Sequence, residues 1–176
     1  DPKPNDQRRY DYVTALATDT DDTLWVGTRV AGLRRCRIEP WSCDLVAESA
    51  DGGEGMGRQH VTALRLDPGG ALWAATDGGG LFRVGSRDGQ AELRIERWGE
   101  EHGLLGNSIM SIELDSDGSL WLGTLKGLSR FDPATGNVAN LVEATGLPAG
   151  TFNAGASSSD ADFIYFGSSE GLVSIR

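Results

Sequence analysis

Leu24-Trp25-Val26-Gly27-Thr28, followed by the pair Gly32-Leu33, is the stretch that decides the fold, because it comes back three times. The copies are Leu72-Trp73-Ala74-Ala75-Thr76 with Gly80-Leu81, Leu120-Trp121-Leu122-Gly123-Thr124 with Gly127-Leu128, and Ile164-Tyr165-Phe166-Gly167-Ser168 with Gly171-Leu172. Their aromatic positions are spaced by 48, 48 and 44 residues. A fixed period of this length marks a chain built from stacked structural units.

Working outward, a second matched segment begins twelve residues before each aromatic: Val13-Thr14-Ala15-Leu16, Val61-Thr62-Ala63-Leu64, Ile109-Met110-Ser111-Ile112 and a degenerate Asn153-Ala154-Gly155-Ala156. Between the two segments lie Asp19-Thr20-Asp21-Asp22, Asp67-Pro68-Gly69-Gly70, Asp115-Ser116-Asp117-Gly118 and Asp160-Ala161-Asp162, the residue types of tight hairpin turns. After the Gly-Leu pair come a short run such as Leu81-Phe82-Arg83-Val84, a turn (Ser86-Arg87-Asp88-Gly89) and an alternating run, Leu93-Arg94-Ile95-Glu96-Arg97-Trp98. The unit is therefore about four antiparallel strands, and the fold class is all-β. Four-stranded units packed face to face bury both sides of their inner strands, which accounts for continuous apolar runs there and alternation with charge outside. The expected architecture is a set of β-propeller blades at about residues 13–50, 61–98, 109–143 and 153–176, the last without its outermost strand. Residues before Val13 are assigned to a preceding blade. A β-sandwich requires no fixed period, and no segment carries the i, i+3, i+4, i+7 pattern of a helical solenoid.

Composition agrees. Gly makes up 25 of 176 residues, dispersed without a triplet period, as a chain with many tight turns requires. The formal charge of −10 repels phosphate backbones and anionic membrane surfaces, so no nucleic acid is expected as a partner. No apolar run approaches the roughly 20 residues that span a bilayer. The opening Asp1-Pro2-Lys3-Pro4 resembles neither an initiator methionine nor a signal sequence, so the chain reads as an excised piece.

The pattern apolar-x-x-apolar, Asp-rich turn, Leu-Trp-apolar-Gly-Thr, short loop, Gly-Leu resembles the two-component regulator propeller repeat. The connectors Gly103-Leu104-Leu105-Gly106-Asn107-Ser108 and Gly146-Leu147-Pro148-Ala149-Gly150-Thr151-Phe152-Asn153 resemble those of the family too, and Ile164-Tyr165-Phe166-Gly167 is similar to its closing blade. Ala75 departs from the pattern by replacing the glycine before the threonine. The resemblance implies the periplasmic part of a membrane-anchored sensor, followed in the parent by an immunoglobulin-like domain, a membrane helix and a cytoplasmic histidine kinase or diguanylate cyclase. It also implies that these blades form the C-terminal part of a larger propeller, with membrane contact only through segments absent here.

Candidate chemistry is sparse. Cys36 and Cys43 flank Glu39-Pro40-Trp41-Ser42, a turn between two strands, and read either as a disulfide formed in an oxidising compartment or as two reduced thiols filling a blade. Two cysteines without a nearby histidine do not make a zinc site. The Asp115–Gly118 turn lacks the downstream acidic ligand of a calcium loop, and Asp77-Gly78-Gly79-Gly80 lacks the helix and lysine of a phosphate loop. His60 and His102, in connectors, stand beside no nucleophile motif. No catalytic residue, metal site or cofactor is assigned, and the segment is read as a non-enzyme. The repeated tryptophans read as packing between blades, whereas Trp41 and Trp98 escape the repeat and are candidates for exposed contacts, Trp98 alternatively closing an outer strand.

In a propeller whose inner strand comes first, the loops between strands two and three share a face with the connectors. That face collects Arg29, Asp77, Lys126 and Glu170 from the loops and Asn107 and Asn153 from the connectors, and is the expected surface for an oligosaccharide, another small ligand or a protein partner. A homodimer of the parent receptor is a further expected partnership. The rival readings are a propeller fragment of a carbohydrate-active lyase or glycosidase, and a purely structural scaffold.

Overall fold

The computed structural model describes residues 12–19, 22–46, 55–86, 93–142, 146–147 and 150–176. The preceding-blade assignment before Val13, much of the turn after Ser86 and the middle of the connector that begins at Gly146 lie outside the described residues.

Among the described residues, fifteen strands form four antiparallel sheets. Blade 1 comprises β1 (Val13–Thr18), β2 (Thr23–Thr28), β3 (Leu33–Arg37) and β4 (Ser42–Leu45), in that spatial order. Blade 2 comprises β5 (His60–Leu66), β6 (Leu72–Asp77), β7 (Gly80–Ser86) and β8 (Leu93–Trp98); blade 3 comprises β9 (Ile109–Leu114), β10 (Leu120–Thr124), β11 (Gly127–Phe131) and β12 (Val138–Leu141). Blade 4 has three strands, β13 (Phe152–Ser159), β14 (Ile164–Ser168) and β15 (Gly171–Ile175). A single 3₁₀ turn, Glu100–His102, is the only helical element among the described residues. Each sheet is a simple meander, and the inner strands β1, β5, β9 and β13 pack in sequence, so the molecule is a four-bladed propeller arrangement and not a two-layer sandwich.

The core lies between blades. The back of blade 1 (Trp25, Leu33) meets the front of blade 2 (Val61, Leu64, Leu72, Phe82). Trp73, Ala75 and Leu81 of blade 2 meet Ile109, Ile112, Leu120, Leu122 and Phe131 of blade 3. Trp121 and Leu128 meet Phe152, Ile164, Phe166 and Val173. Burying each large apolar side chain contributes about 1.5–3 kcal/mol, so these seams are what hold the units in register. The glycine of the repeat exists for this approach: a Cβ on Gly27 would lie 2.5 Å from Val61 Cγ1. Ala75, at the same position in blade 2, is fully buried in its seam.

Each inner strand is bulged at one place. Val13, Val61 and Ile109 pair with Thr28, Thr76 and Thr124, and the ladder resumes at Ala15–Gly27, Ala63–Ala75 and Ser111–Gly123, leaving Thr14, Thr62 and Met110 as extra residues. The bulge frees two hydroxyls to reach the next blade, Thr14 Oγ1 donating to Val61 O at 2.5 Å and Thr62 Oγ1 to Ile109 O at 2.5 Å. In β13 the interruption is longer: Phe152 pairs with Ser168 and pairing resumes only at Ser157–Phe166. Phe152, 2% exposed, therefore takes the place of Val13, Val61 and Ile109, one residue earlier than the expected alignment on Asn153.

Cys36 and Cys43 stand opposite each other in the β3–β4 pair and are joined by a disulfide with Cα atoms 4.0 Å apart. Trp41, between them, is 55% exposed. Trp98 is half-buried, its ring 5.4 Å from Trp73 and 5.2 Å from Phe131, so it closes an outer strand and is no free surface contact.

Candidate functional site

The threonine that ends the repeat shapes the expected ligand face. Thr28, Thr76, Thr124 and Ser168 each donate their hydroxyl to the carbonyl of the following Gly-Leu glycine, at 2.8, 2.7, 2.8 and 3.0 Å. In three blades the same oxygen accepts a loop N–H: Ala31 at 3.0 Å, Lys126 at 3.0 Å and Glu170 at 3.2 Å. One hydroxyl, buried in blades 1 to 3 and part-exposed in blade 4, thus closes each loop between strands two and three, and the loop side chains project from a fixed base.

At the junction of blades 2 and 3 these loops build a cleft. Asn107 O accepts the N–H groups of Gly78 (3.0 Å) and Gly80 (2.8 Å), so the connector is stitched to the β6–β7 loop. Gly80 makes this possible with φ near +92°, a conformation side chains with a Cβ rarely adopt. Ser108 Oγ donates to Asp77 Oδ1 at 2.7 Å, and His60 Nδ1 lies 3.6 Å from Asp77 Oδ2. The Asn107 side-chain oxygen accepts the Glu100 N–H at 3.0 Å, and Lys126 Nζ donates to Glu100 Oε1 at 2.5 Å. Arg97 donates from Nε to Gly79 O at 2.7 Å and pairs with Glu101, whose carboxyl is held below the usual carboxylate range by its own backbone N–H and by Arg97. Glu100, Gly106, Asn107, Ser108, Leu125 and Lys126 line a cleft of about 230 Å³.

Of the residues expected on this face, the structure joins Asn107 and Lys126 in the cleft and places Asp77 at its edge through Ser108. Arg29 and Glu170 occupy the equivalent loops of blades 1 and 4 and do not line the cleft. Arg29 N donates to Tyr12 O at 2.9 Å. Asn153 lies exposed within β13. Glu100 lies outside the matched segments and Ser108 ends the connector that begins at Gly103; their roles come from the 3₁₀ turn and from the bridge between Asp77 and Ser108. Among the described residues, no group of three or more His, Cys, Asp or Glu side chains is placed to hold a metal ion. No helix among them is long and apolar enough to cross a membrane.

Comparison with known proteins fits this geometry. The family model described as two component regulator propeller matches residues 8–29 and 103–126, stretches that fall in blade 1 and in the connector and first strands of blade 3. Among solved structures, the extracellular domain of the hybrid two-component system BT3049 from B. thetaiotaomicron superposes with a TM-score of 0.75 at 23% identity, over 92% of this chain and 21% of that one. The extracellular domain of BT4673 from the same organism gives 0.73 at 23% identity, over 93% of this chain and 22% of that one. The computationally designed Ika8 protein gives 0.59 at 18% identity, over 92% of this chain and 44% of that one. The chain thus spans about a fifth of the length of the two B. thetaiotaomicron structures. No curated protein matches it.

Proposed function

We propose that the chain is the extracytoplasmic, periplasmic sensor propeller of a bacterial two-component receptor. In this reading the cleft between blades 2 and 3 receives a hydroxyl-rich ligand of the oligosaccharide class. The observation that carries the ligand reading is the cleft of Glu100, Asn107, Ser108 and Lys126, with Asp77 behind Ser108. It sets cationic, amide, hydroxyl and carboxylate groups around a volume suited to about one sugar ring, and exposed Leu125 offers an apolar contact. Sugar hydroxyls both donate and accept, which such a mixed lining rewards. The regulator-propeller match and the likeness to extracellular domains support the receptor context, and the Cys36–Cys43 disulfide fits an oxidising compartment. The segment itself is non-catalytic, and the parent's output is a histidine kinase or a diguanylate cyclase.

Titration calorimetry with a panel of neutral and acidic oligosaccharides tests the site. Lys126→Ala and Asp77→Ala are each expected to weaken binding by about tenfold, one charge-assisted hydrogen bond's worth. Equal affinity in wild type and both variants contradicts the cleft. A parent polypeptide with no membrane-spanning segment contradicts the receptor reading.

A further inference from the structure

The cleft between blades 2 and 3 holds its charges as a closed pair. Lys126 Nζ donates to Glu100 Oε1 at 2.5 Å, and the two side chains are 63% and 48% exposed, so a ligand in the cleft meets both. The Glu100 N–H is fixed by the Asn107 side-chain oxygen at 3.0 Å, which sets where the carboxylate stands. Gly106 leaves room beside the contact: a Cβ there would lie 3.6 Å from Glu100 Oε1 and 3.8 Å from Lys126 Cδ and Cε. The formal charge along the lining therefore cancels. Nearby, Arg97 is engaged by Gly79 O and Glu101, and Asp77 behind Ser108 adds a negative charge.

We propose that Glu100 sets the specificity of this cleft: it cancels the charge of Lys126, so the site takes uncharged sugar units and turns away uronate or sulfated ones. The inference rests on the oligosaccharide reading given above and narrows it to one class. Three observations carry it. An ammonium has three protons and Glu100 holds one; the others donate to sugar hydroxyls while the second carboxylate oxygen accepts from them, so neighbouring hydroxyls find both kinds of partner. An acidic sugar loses on the same geometry. To reach Lys126 its carboxylate must come within about 5 Å of Glu100, and two like charges that close at a protein surface cost roughly tenfold in affinity. Finally, the formal charge of −10 on the chain supplies no long-range attraction for an anion that would offset this loss.

Titration calorimetry with mannotetraose against tetramannuronate, and cellotetraose against tetraglucuronate, tests this in pairs that differ only by oxidation of a hydroxymethyl group to a carboxylate. Wild type is expected to bind a neutral member at least about tenfold more tightly than its acidic counterpart. Glu100→Gln keeps the side-chain size and leaves Lys126 unopposed. The ratio of acidic to neutral affinity is then expected to rise about tenfold, and salt at about 0.5 M removes that rise by screening the freed cation. Gly106→Leu sets a side chain against the ion pair, fills the cleft and is expected to abolish binding of the neutral sugar. No binding of any of these sugars, or equal binding by wild type and Gly106→Leu, overturns the oligosaccharide reading of the cleft and this inference with it. An acidic member that binds wild type as tightly as its neutral counterpart overturns the role of Glu100 alone and leaves the cleft a sugar site. So does a ratio that Glu100→Gln leaves unchanged.

Discussion

Each indole of the repeat is gripped from two sides. Asp19, Asp67 and Asp115 accept the Nε1–H of Trp25, Trp73 and Trp121 at 3.2, 3.1 and 3.0 Å, and Asp160 accepts the Tyr165 hydroxyl at 2.9 Å. Arg35, Arg83 and Arg130 place their guanidinium carbons 5.7, 5.7 and 5.8 Å from the three indole centroids. The aspartate therefore does more than shape a turn: Asp67 Oδ1 also accepts the Ala71 N–H at 2.9 Å, so one carboxylate ties the hairpin to the seam. Asp67→Ala is expected to cost about 2–3 kcal/mol and to lower the thermal midpoint by roughly 5–10 °C in a calorimetric scan. A loss below 1 °C (roughly 0.3 kcal/mol) contradicts the double role. Gly27→Ala is expected to cost about 1–3 kcal/mol, because its methyl falls onto Val61 and forces the seam apart. The type of these aspartates as turn residues was legible in the sequence. Their hold on an aromatic six residues later was not, since it exists only once the hairpin register brings the two together.

At the scale of strands and hairpins, period and polarity carried most of the information: all fifteen strands fall within the repeat, and the Asp-rich segments are hairpins. Two features did not show in the sequence. The bulge after the first inner-strand residue leaves no consistent mark in composition, because the threonine of blades 1 and 2 (Thr14, Thr62) is Met110 in blade 3, and its lengthening in β13 is why Phe152 went unaligned. The second is Glu113, 3% exposed, which binds Arg65 of β5 and accepts the Ser159 hydroxyl of β13 at 3.1 Å, linking three inner strands. Its partners lie 48 and 46 residues away, beyond any local pattern. Arg65→Met strips a partner from a buried carboxylate and is expected to cost about 2–3 kcal/mol by urea denaturation, while an unchanged midpoint contradicts the link. The hairpin turns also set the acid response. Asp160 is held below the usual carboxylate range by the N–H groups of Asp162 and Phe163 and by the Tyr165 hydroxyl, Asp117 by the N–H and hydroxyl of Ser119 and by Arg130, and Asp132 by the Thr135 hydroxyl and the Ala134 N–H. A depressed folded pKa stabilises the fold above the unfolded value of about 3.9 and is lost as pH falls through the folded one. Thermal scans should therefore be flat from about pH 7 to 5 and fall below about pH 4; a midpoint that rises below pH 4 contradicts this.

For the whole molecule, the fold class and the identity of the repeat were readable because stacked blades force the same residues into the same seams. The candidate site was readable only in part. Asn107, Lys126 and Asp77 were placed by topology alone, from the rule that second-third loops share a face with connectors. Glu100 escaped, because its place depends on a 3₁₀ turn and on the Asn107 amide. Arg29 and Glu170 share loop positions with Asp77 and Lys126, in blades 1 and 4, and do not line this cleft. The blade 2–3 junction is the proposed place where a ligand is received. Hydrogen–deuterium exchange of the chain, with and without the tightest-binding oligosaccharide, reads this directly. The expected result is slowed exchange confined to residues 77–80, 100–108 and 125–127; slowed exchange at the opposite hairpin turns, such as 67–71 and 115–119, with the junction unchanged, contradicts it.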